Sequence, residues 1–524
     1  MRIERTKNTI KNIKAGMVLR LYQTIVPFLM RTAMIYFMGV QYLGLNSLFA
    51  SILQVLNMAE LGIGSAMVFA MYKPIAHDDE AAICALMGLY RKYYRIVGLL
   101  IGTVGLILLP AIPYLISGDV PGELNIYVLY LLNLGQTVLT YWLFAYKNCL
   151  LQAHQRTDIV SWIAAATYTL QVVLQLAVLL LSKNYYLYVI VFIGSQLANN
   201  VITAVVVTRK FPQYRPCGKL PKEKVREINQ KIRDLFTAKL GGVVLKSSDT
   251  IVISAFLGLT VLAVYQNYLF IVSSVLAIVE IILSSMMAGL GNSYVLESRE
   301  KNFLDLEKFS FIFLWMIGVC TCCFLGMYQP FMEIWVGKEL MLGMGEVVCF
   351  ASYFFVYTTN RLLSIYKDAA GLWHEDRWRP LVTALTNLLL NLLSIKAFGI
   401  YGVLASTVIS MVFVGMPWIL HNIFTQFFEK KLMKQYVRQL LAHVMVTVVA
   451  GVLVVLVCNQ LRMPPIPKLV LCGIVAVIVP NVLFFFCLRH MHQFLPSVQF
   501  ADKLTKKKLK LEQRLSRYLN VHND

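Results

Sequence analysis

The chain has 524 residues, of which 58% are hydrophobic and 14% charged, and its mean hydropathy is +0.66. Soluble domains are roughly half apolar and a quarter charged, so this composition excludes one. Its formal charge is +21, from 48 Lys and Arg against 27 Asp and Glu. In a membrane chain that excess is read as the cytoplasmic bias of loop cations, and no nucleic-acid partner is expected.

The first residues are basic (Arg2, Arg5, Lys7, Lys11, Lys14) and lead into an apolar stretch too long and too charged for a cleavable signal. It is expected to remain as the first span. Stretches of about the length of a bilayer crossing follow one another at 15–38, 44–70, 93–116, 124–146, 159–181, 185–207, 238–258, 261–290, 308–329, 345–366, 380–397, 399–424, 438–459 and 468–488. They predict an all-α integral membrane protein of about fourteen transmembrane helices. With the N-terminus inside, about 39 of the 48 cations fall on the cytoplasmic side. Only Lys183, Lys338, Lys396, Arg462 and Lys468 fall outside. Both termini are therefore expected in the cytoplasm.

The stretch from Arg209 to Lys239, with Pro212, Pro216, Gly218 and Pro221, reads as a linker and is expected to be a solvated loop. Cys320, Cys322 and Cys323 lie in an apolar run with no His or acidic partner at ligand spacing, so they are expected to pack as small hydrophobes rather than bind metal. His77, His154 and His374, all on the cytoplasmic side, read as interface residues. At the C-terminus, Phe500, Leu504, Leu511, Leu515 and Tyr518 recur at helical spacing among Lys503, Lys506, Lys507, Lys508, Lys510, Arg514 and Arg517. Such a basic amphipathic helix suits an anionic lipid surface.

The first six spans resemble the next six. Ala15-Gly16-Met17-Val18-Leu19-Arg20 matches Gly241-Gly242-Val243-Val244-Leu245-Lys246, and Tyr146-Lys147 with His154 matches Tyr366-Lys367 with His374. An even number of spans per repeat makes the two repeats parallel, related by a pseudo-twofold axis along the membrane normal. The expected organisation is an N-terminal six-helix lobe over 1–207, a cytoplasmic linker over 208–237, a C-terminal six-helix lobe over 238–428, two additional transmembrane helices over 429–490, and a basic tail over 491–524.

An ionised side chain in hydrocarbon costs a few kcal/mol, so it normally faces a bundle interior or a wet cavity. The cations so placed are Arg20, Arg31, Lys246 and Arg361; the anions are Glu60, Asp249 and Glu280, with Asp368 at the end of its span. Arg20, Thr24, Pro27 and Arg31 share one face of the first span, with the arginines about 16 Å apart in depth. Depth arithmetic pairs Arg20 with Glu60, and the repeat pairs Lys246 with Glu280, with Asp249 one turn from Lys246. Arg31 and Arg361 have no acid at evidently matching depth, although Asp368 could reach Arg361 from one end. These two are the favoured binders of an anionic ligand, ahead of Arg20 and Lys246.

The run Tyr42-Leu43-Gly44-Leu45-Asn46-Ser47-Leu48-Phe49, then Glu60-Leu61-Gly62-Ile63-Gly64-Ser65-Ala66 and Tyr72-Lys73-Pro74, resembles bacterial polysaccharide flippases. These are the Wzx-type members of the multidrug, oligosaccharidyl-lipid and polysaccharide exporter (MOP) superfamily. In the second half, Asp249-Thr250-Ile251-Val252-Ile253-Ser254, Trp335-Val336-Gly337 and Tyr366-Lys367-Asp368-Ala369-Ala370-Gly371-Leu372-Trp373 agree. The resemblance implies two six-helix lobes around a central cavity in a bacterial cytoplasmic membrane. It also implies alternating-access movement of an undecaprenyl-diphosphate-linked oligosaccharide to the outer leaflet, for cell-surface polysaccharide biosynthesis. It implies no bound cofactor, coupling to a Na⁺ or H⁺ gradient or to the membrane potential, and a tail groove formed by the two extra helices. Its partners would be the anionic lipid-linked oligosaccharide, membrane lipids and other membrane proteins of polysaccharide assembly. The competing readings are an ion-coupled drug or small-molecule exporter of the same superfamily and, with short external loops against it, a membrane-bound polysaccharide-synthesis enzyme.

Overall fold

Hydrocarbon offers the backbone no hydrogen-bond partner, so an apolar stretch that crosses it becomes a helix. The computed structural model describes residues 5–118, 120–122 and 124–504; it is 88% helical, with no strand among the described residues. The first half comprises α1 (Arg5–Phe37), α2 (Val40–Leu56), α3 (Ile63–Ala76), α4 (Glu80–Leu108), α5 (Ile126–Trp142), α6 (Asn148–Ala153), α7 (Thr157–Leu181) and α8 (Tyr185–Lys210). Then come α9 (Lys222–Leu257), α10 (Leu259–Leu296), α11 (Arg299–Trp335), α12 (Met344–Ala369), α13 (Trp373–Asp376) and α14 (Arg379–Ser410). The last are α15 (Met416–Asn422), α16 (Lys430–Gln460), α17 (Pro465–Leu488) and α18 (Phe494–Leu504).

Among the described residues ten helices are long and apolar enough to cross a membrane, or eleven if α5 and its continuation Ala145–Ala153, bent by 46°, form one span. The difference from about fourteen has physical reasons. α1 and α12 are outside this set; they carry Arg20 and Arg31 in one case, and Glu346, Arg361, Lys367 and Asp368 in the other. The expected spans 380–397 and 399–424 form one helical run, Trp373–Phe427, broken at Gly399, whose φ of +55° interrupts the helix. The expected second span is broken as well. α2 ends in a 3₁₀ turn over Asn57–Glu60, and α3 starts after Gly62, whose φ is +91°.

By contact the described residues form two units, one within Met1–Asn267 and Pro380–Gly399, the other within Tyr268–Arg379 and Ile400–Asp524. These lines differ from those of the repeat, since 238–267 and 380–399 group with the first unit. In it, α1 packs on α7 and α2, α7 on α8, α4 on α3 and α5, and α2 on α9. Gly44 is where α2 meets the backbone at the start of α10, since a Cβ there would collide with the Leu259 carbonyl. The linker is not a free loop. Between α8 and α9 it folds back on α4, where the Arg215 amide donates to Cys84 Sγ at 3.4 Å.

In the second unit α11 is packed by α16, α17, α12 and α18. The small side chains of Cys322, Ala450, Val454, Cys458, Cys472 and Ala476 form one seam between α11, α16 and α17. Nearer the start of α11, fully buried Glu307 accepts from Gln435 Nε2 at 2.9 Å and Gln493 Nε2 at 3.0 Å, and His492 Nε2 lies 3.2 Å away. These bonds tie the C-terminal helices to α11. Of the expected amphipathic tail helix, Phe500 lies in α18 and meets Phe309 edge-on at 5.0 Å, while Lys506 to Arg517 lie outside the described residues.

Two substitutions and one control test these joints by thermal unfolding in detergent. Gly44→Val is expected to cost about 1–3 kcal/mol through overpacking, and Gly135→Ala, where a Cβ meets nothing within 4 Å, to leave the midpoint near that of the parent. Glu307→Leu leaves buried donors without an acceptor and is expected to cost about 2–4 kcal/mol.

Candidate functional site

α1 delivers its polar face in two parts. Pro27, Met30, Arg31 and Met34 line a cavity of about 200 Å³ in the first unit, together with Leu43 and Asn46 of α2, Tyr168, Gln171, Val172 and Gln175 of α7, and Tyr188 of α8. One turn or more toward the N-terminus, Thr24 Oγ1 bonds back to the Arg20 carbonyl at 2.9 Å, and Arg20 is exposed. The arginine ladder is therefore divided, with Arg31 alone in the cavity.

Arg31 Nη1 donates to Asn267 Oδ1 at 3.1 Å. Around it Gln171 Nε2 donates to Gln175 Oε1 and Gln175 Nε2 to the Tyr188 carbonyl, both at 3.2 Å. Gln171 Oε1 and Asn267 Nδ2 are buried without a hydrogen-bond partner. Tyr168 and Tyr188 are braced by Tyr22 and Tyr185 at 5.4 and 6.0 Å. None of the residues lining this cavity is acidic. A guanidinium with carboxamides and phenol faces suits a ligand that is both anionic and rich in hydroxyls.

Glu60 is not paired with Arg20. It stands at the α2–α3 break, accepts from Tyr94 OH at 2.8 Å, and Tyr90 OH donates in turn to Tyr94 OH at 2.7 Å. The cavity beside it, about 350 Å³, is also lined by Lys239, Ser65 and Asn148, and Lys239 Nζ lies 3.3 Å from Ser65 Oγ. The depth arithmetic failed because the helix breaks at the acid, where a rise of 1.5 Å per residue no longer applies. Lys246 is exposed and, like Arg20, has no ion pair among the described residues. Asp249 is buried; Asn391 Nδ2 donates to it at 2.7 Å and to Asn387 Oδ1 at 3.3 Å. Tyr265 OH donates to the other carboxylate oxygen at 3.4 Å.

Arg361 is paired, contrary to expectation. In the second unit its Nε lies 2.9 and 3.1 Å from the two oxygens of Glu280, and Asp368 approaches Nη1 at 4.0 Å. Glu280 is thereby engaged by Arg361, the partner that the repeat had not indicated. The network continues through Lys367, which meets Asp368 and, at 3.3 Å, Asp376, to Arg379, whose fork grips Asp376 at 2.6 and 2.9 Å. Three cations and three anions balance. His154 reads as a packing residue, its ring 4.4 Å from Phe211, and burial lowers its pKa below the usual imidazole value.

Sequence reasoning missed Gln171, Gln175, Tyr168, Tyr188 and Asn267. The signal was present on α7, where 168, 171 and 175 share one face of an otherwise apolar helix.

No protein-family model matches the chain, and no curated protein sequence matches it. Solved structures do. The structure of "Lipid II flippase MurJ, inward closed conformation" superposes with a TM-score of 0.67 at 12% identity, covering 91% of this chain and 99% of that one. An inward-facing multidrug resistance MATE family transporter of the MOP superfamily gives 0.59 at 13% identity, over 80% and 99%. A MATE protein in a bent conformation gives 0.51 at 14%, over 82% and 96%. The chain is an all-helical protein with the fold of the MOP-superfamily transporters.

Proposed function

We infer that the protein is a multi-pass transporter of the bacterial cytoplasmic membrane that moves an anionic lipid-linked oligosaccharide, its sugars joined to undecaprenol through a diphosphate, toward the outer leaflet. The observation that carries this reading is the chemistry of the Arg31 cavity. A guanidinium can bind a phosphate, carboxamides suit sugar hydroxyls, and the phenol rings of Tyr168 and Tyr188 suit sugar C–H surfaces. The likeness to the lipid II flippase supports the same reading, since it extends over more of the chain than the likeness to the MATE transporters. Surface-polysaccharide assembly is the process that consumes such a cargo, and alternating access driven by a cation gradient is the accompanying mechanism. Glu60 and Asp249 are the carboxylates at which a Na⁺ ion or proton would act. Arg361 takes a different role from Arg31: neutralised by Glu280, it holds α12 to α10 and is available to cargo only when that pair opens.

A second reading, an ion-coupled exporter of small molecules, is favoured by the MATE likeness and by the Glu60 cavity, where a carboxylate and phenols would suit a cationic drug. The two readings differ in the sign of the ligand.

In proteoliposomes with a labelled polyprenyl-diphosphate oligosaccharide, Arg31→Ala is expected to slow appearance in the outer leaflet at least ten-fold, with Arg31→Lys intermediate. Full activity in Arg31→Ala removes the residue from the site. For the second unit, Glu280→Arg combined with Arg361→Glu is expected to recover thermal stability lost in each single variant, with a coupling of about 1–3 kcal/mol.

A further inference from the structure

A third cavity, about 470 Å³, has chemistry unlike the other two. It lies along α4, where Arg91, Lys92 and Arg95 form its polar wall, Ile96 and Leu99 its apolar wall, and Pro216 and Gly218 of the folded-back linker close it. Loop charge bias assigns this end of α4 to the cytoplasmic side. Cations on that side normally sit in solvated loops, but these three stand on one helix beside a cavity and make no ion pair among the described residues. Lys147 lies close enough to Arg91 for their charges to interact, and no acidic residue lines the space.

The apolar wall continues outward along α4, where Ile96, Leu99, Leu100, Leu106 and Ile107 are all exposed. On a membrane helix such a stripe faces acyl chains. Cations at one end and lipid-facing apolar residues at the other, about 12 Å further along the helix from Arg91 to Leu99, match a molecule with an anionic head and hydrocarbon tails. Trp142, also exposed, donates its indole N–H to the Arg95 carbonyl at 3.2 Å, as an aromatic anchor at a membrane interface does. The lining contains no carboxamide, hydroxyl or phenol side chain, in contrast to the Arg31 cavity. It can hold a phosphate but has nothing with which to read a sugar.

We propose that this cavity seats an anionic phospholipid of the cytoplasmic leaflet, its phosphate held by Arg91, Lys92 and Arg95 and its acyl chains laid along Ile96 and Leu99. The occupant pins the linker to α4 from the membrane side. The inference does not depend on what the protein transports.

The test uses the full chain in detergent, with native mass spectrometry of lipid adducts after titration with phosphatidylglycerol, phosphatidylcholine or undecaprenyl phosphate. The parent is expected to retain one phosphatidylglycerol at least ten-fold more tightly than phosphatidylcholine. The triple variant Arg91→Gln, Lys92→Gln, Arg95→Gln is expected to lose that preference, while Lys301→Gln with Lys431→Gln keeps it. Arg91→Lys with Arg95→Lys preserves charge and should also retain the lipid, which separates loss of binding from loss of fold. Equal retention by parent and triple variant overturns the proposal, as does equal retention of the two phospholipids. Selective displacement of phosphatidylglycerol by equimolar undecaprenyl phosphate also overturns it, making the cavity a cargo site instead.

Discussion

A positive charge inside a hydrocarbon layer must be neutralised, solvated or matched by a ligand, because each uncompensated ion costs several kcal/mol there. The two units meet this constraint differently. In the second, Arg361 is neutralised by Glu280, and at the end of α12 a connected network pairs Lys367 and Arg379 with Asp368 and Asp376. In the first, the cavity that Arg31 lines is built of carboxamides, phenols and apolar side chains, with no acidic residue in its lining. A balanced network stabilises a helix arrangement; a cavity with unsatisfied amides and no acid in its lining is suited to an incoming anion. This contrast underlies the assignment of Arg31, rather than Arg361, to the cargo.

Much of the architecture was legible in the sequence because apolar length and the need to satisfy backbone groups leave only helices. The Gly44 motif was also visible, but the reason for it was not: the glycine admits the Leu259 backbone, more than two hundred positions away. Pairings of charges were poorly legible. Depth arithmetic assumes unbroken helices with known ends, and an error of two residues moves a side chain 3 Å in depth and roughly 200° around the axis. Glu60 stands at a break, so its match to Arg20 failed, whereas Glu280 reaches Arg361 although the repeat indicated Lys246. Glu307 was invisible for a different reason: near the start of α11 it reads as an ordinary interfacial charge, and only the fold brings Gln435, His492 and Gln493 to it.

Three cavities of the first unit separate three kinds of chemistry within one scaffold. One combines a guanidinium with amides and phenols, one a carboxylate at a helix break with a lysine, and one a cationic wall with an apolar wall. Sugar-phosphate recognition, cation coupling and lipid anchorage each need one of these combinations and are poorly served by the others. Their linings share no residue, so each can be altered by substitutions that leave the other two unchanged.

The most direct measurement of the central claim is the identity of the lipid that co-purifies with the protein from its native membrane, compared between the parent and Arg31→Ala by mass spectrometry. A polyprenyl-diphosphate-linked oligosaccharide is expected to be bound to the parent and depleted in the variant, with phospholipid adducts unchanged. A parent that carries no such lipid under conditions where its biosynthetic precursor is abundant, or a variant that retains it in full, would remove Arg31 from cargo binding.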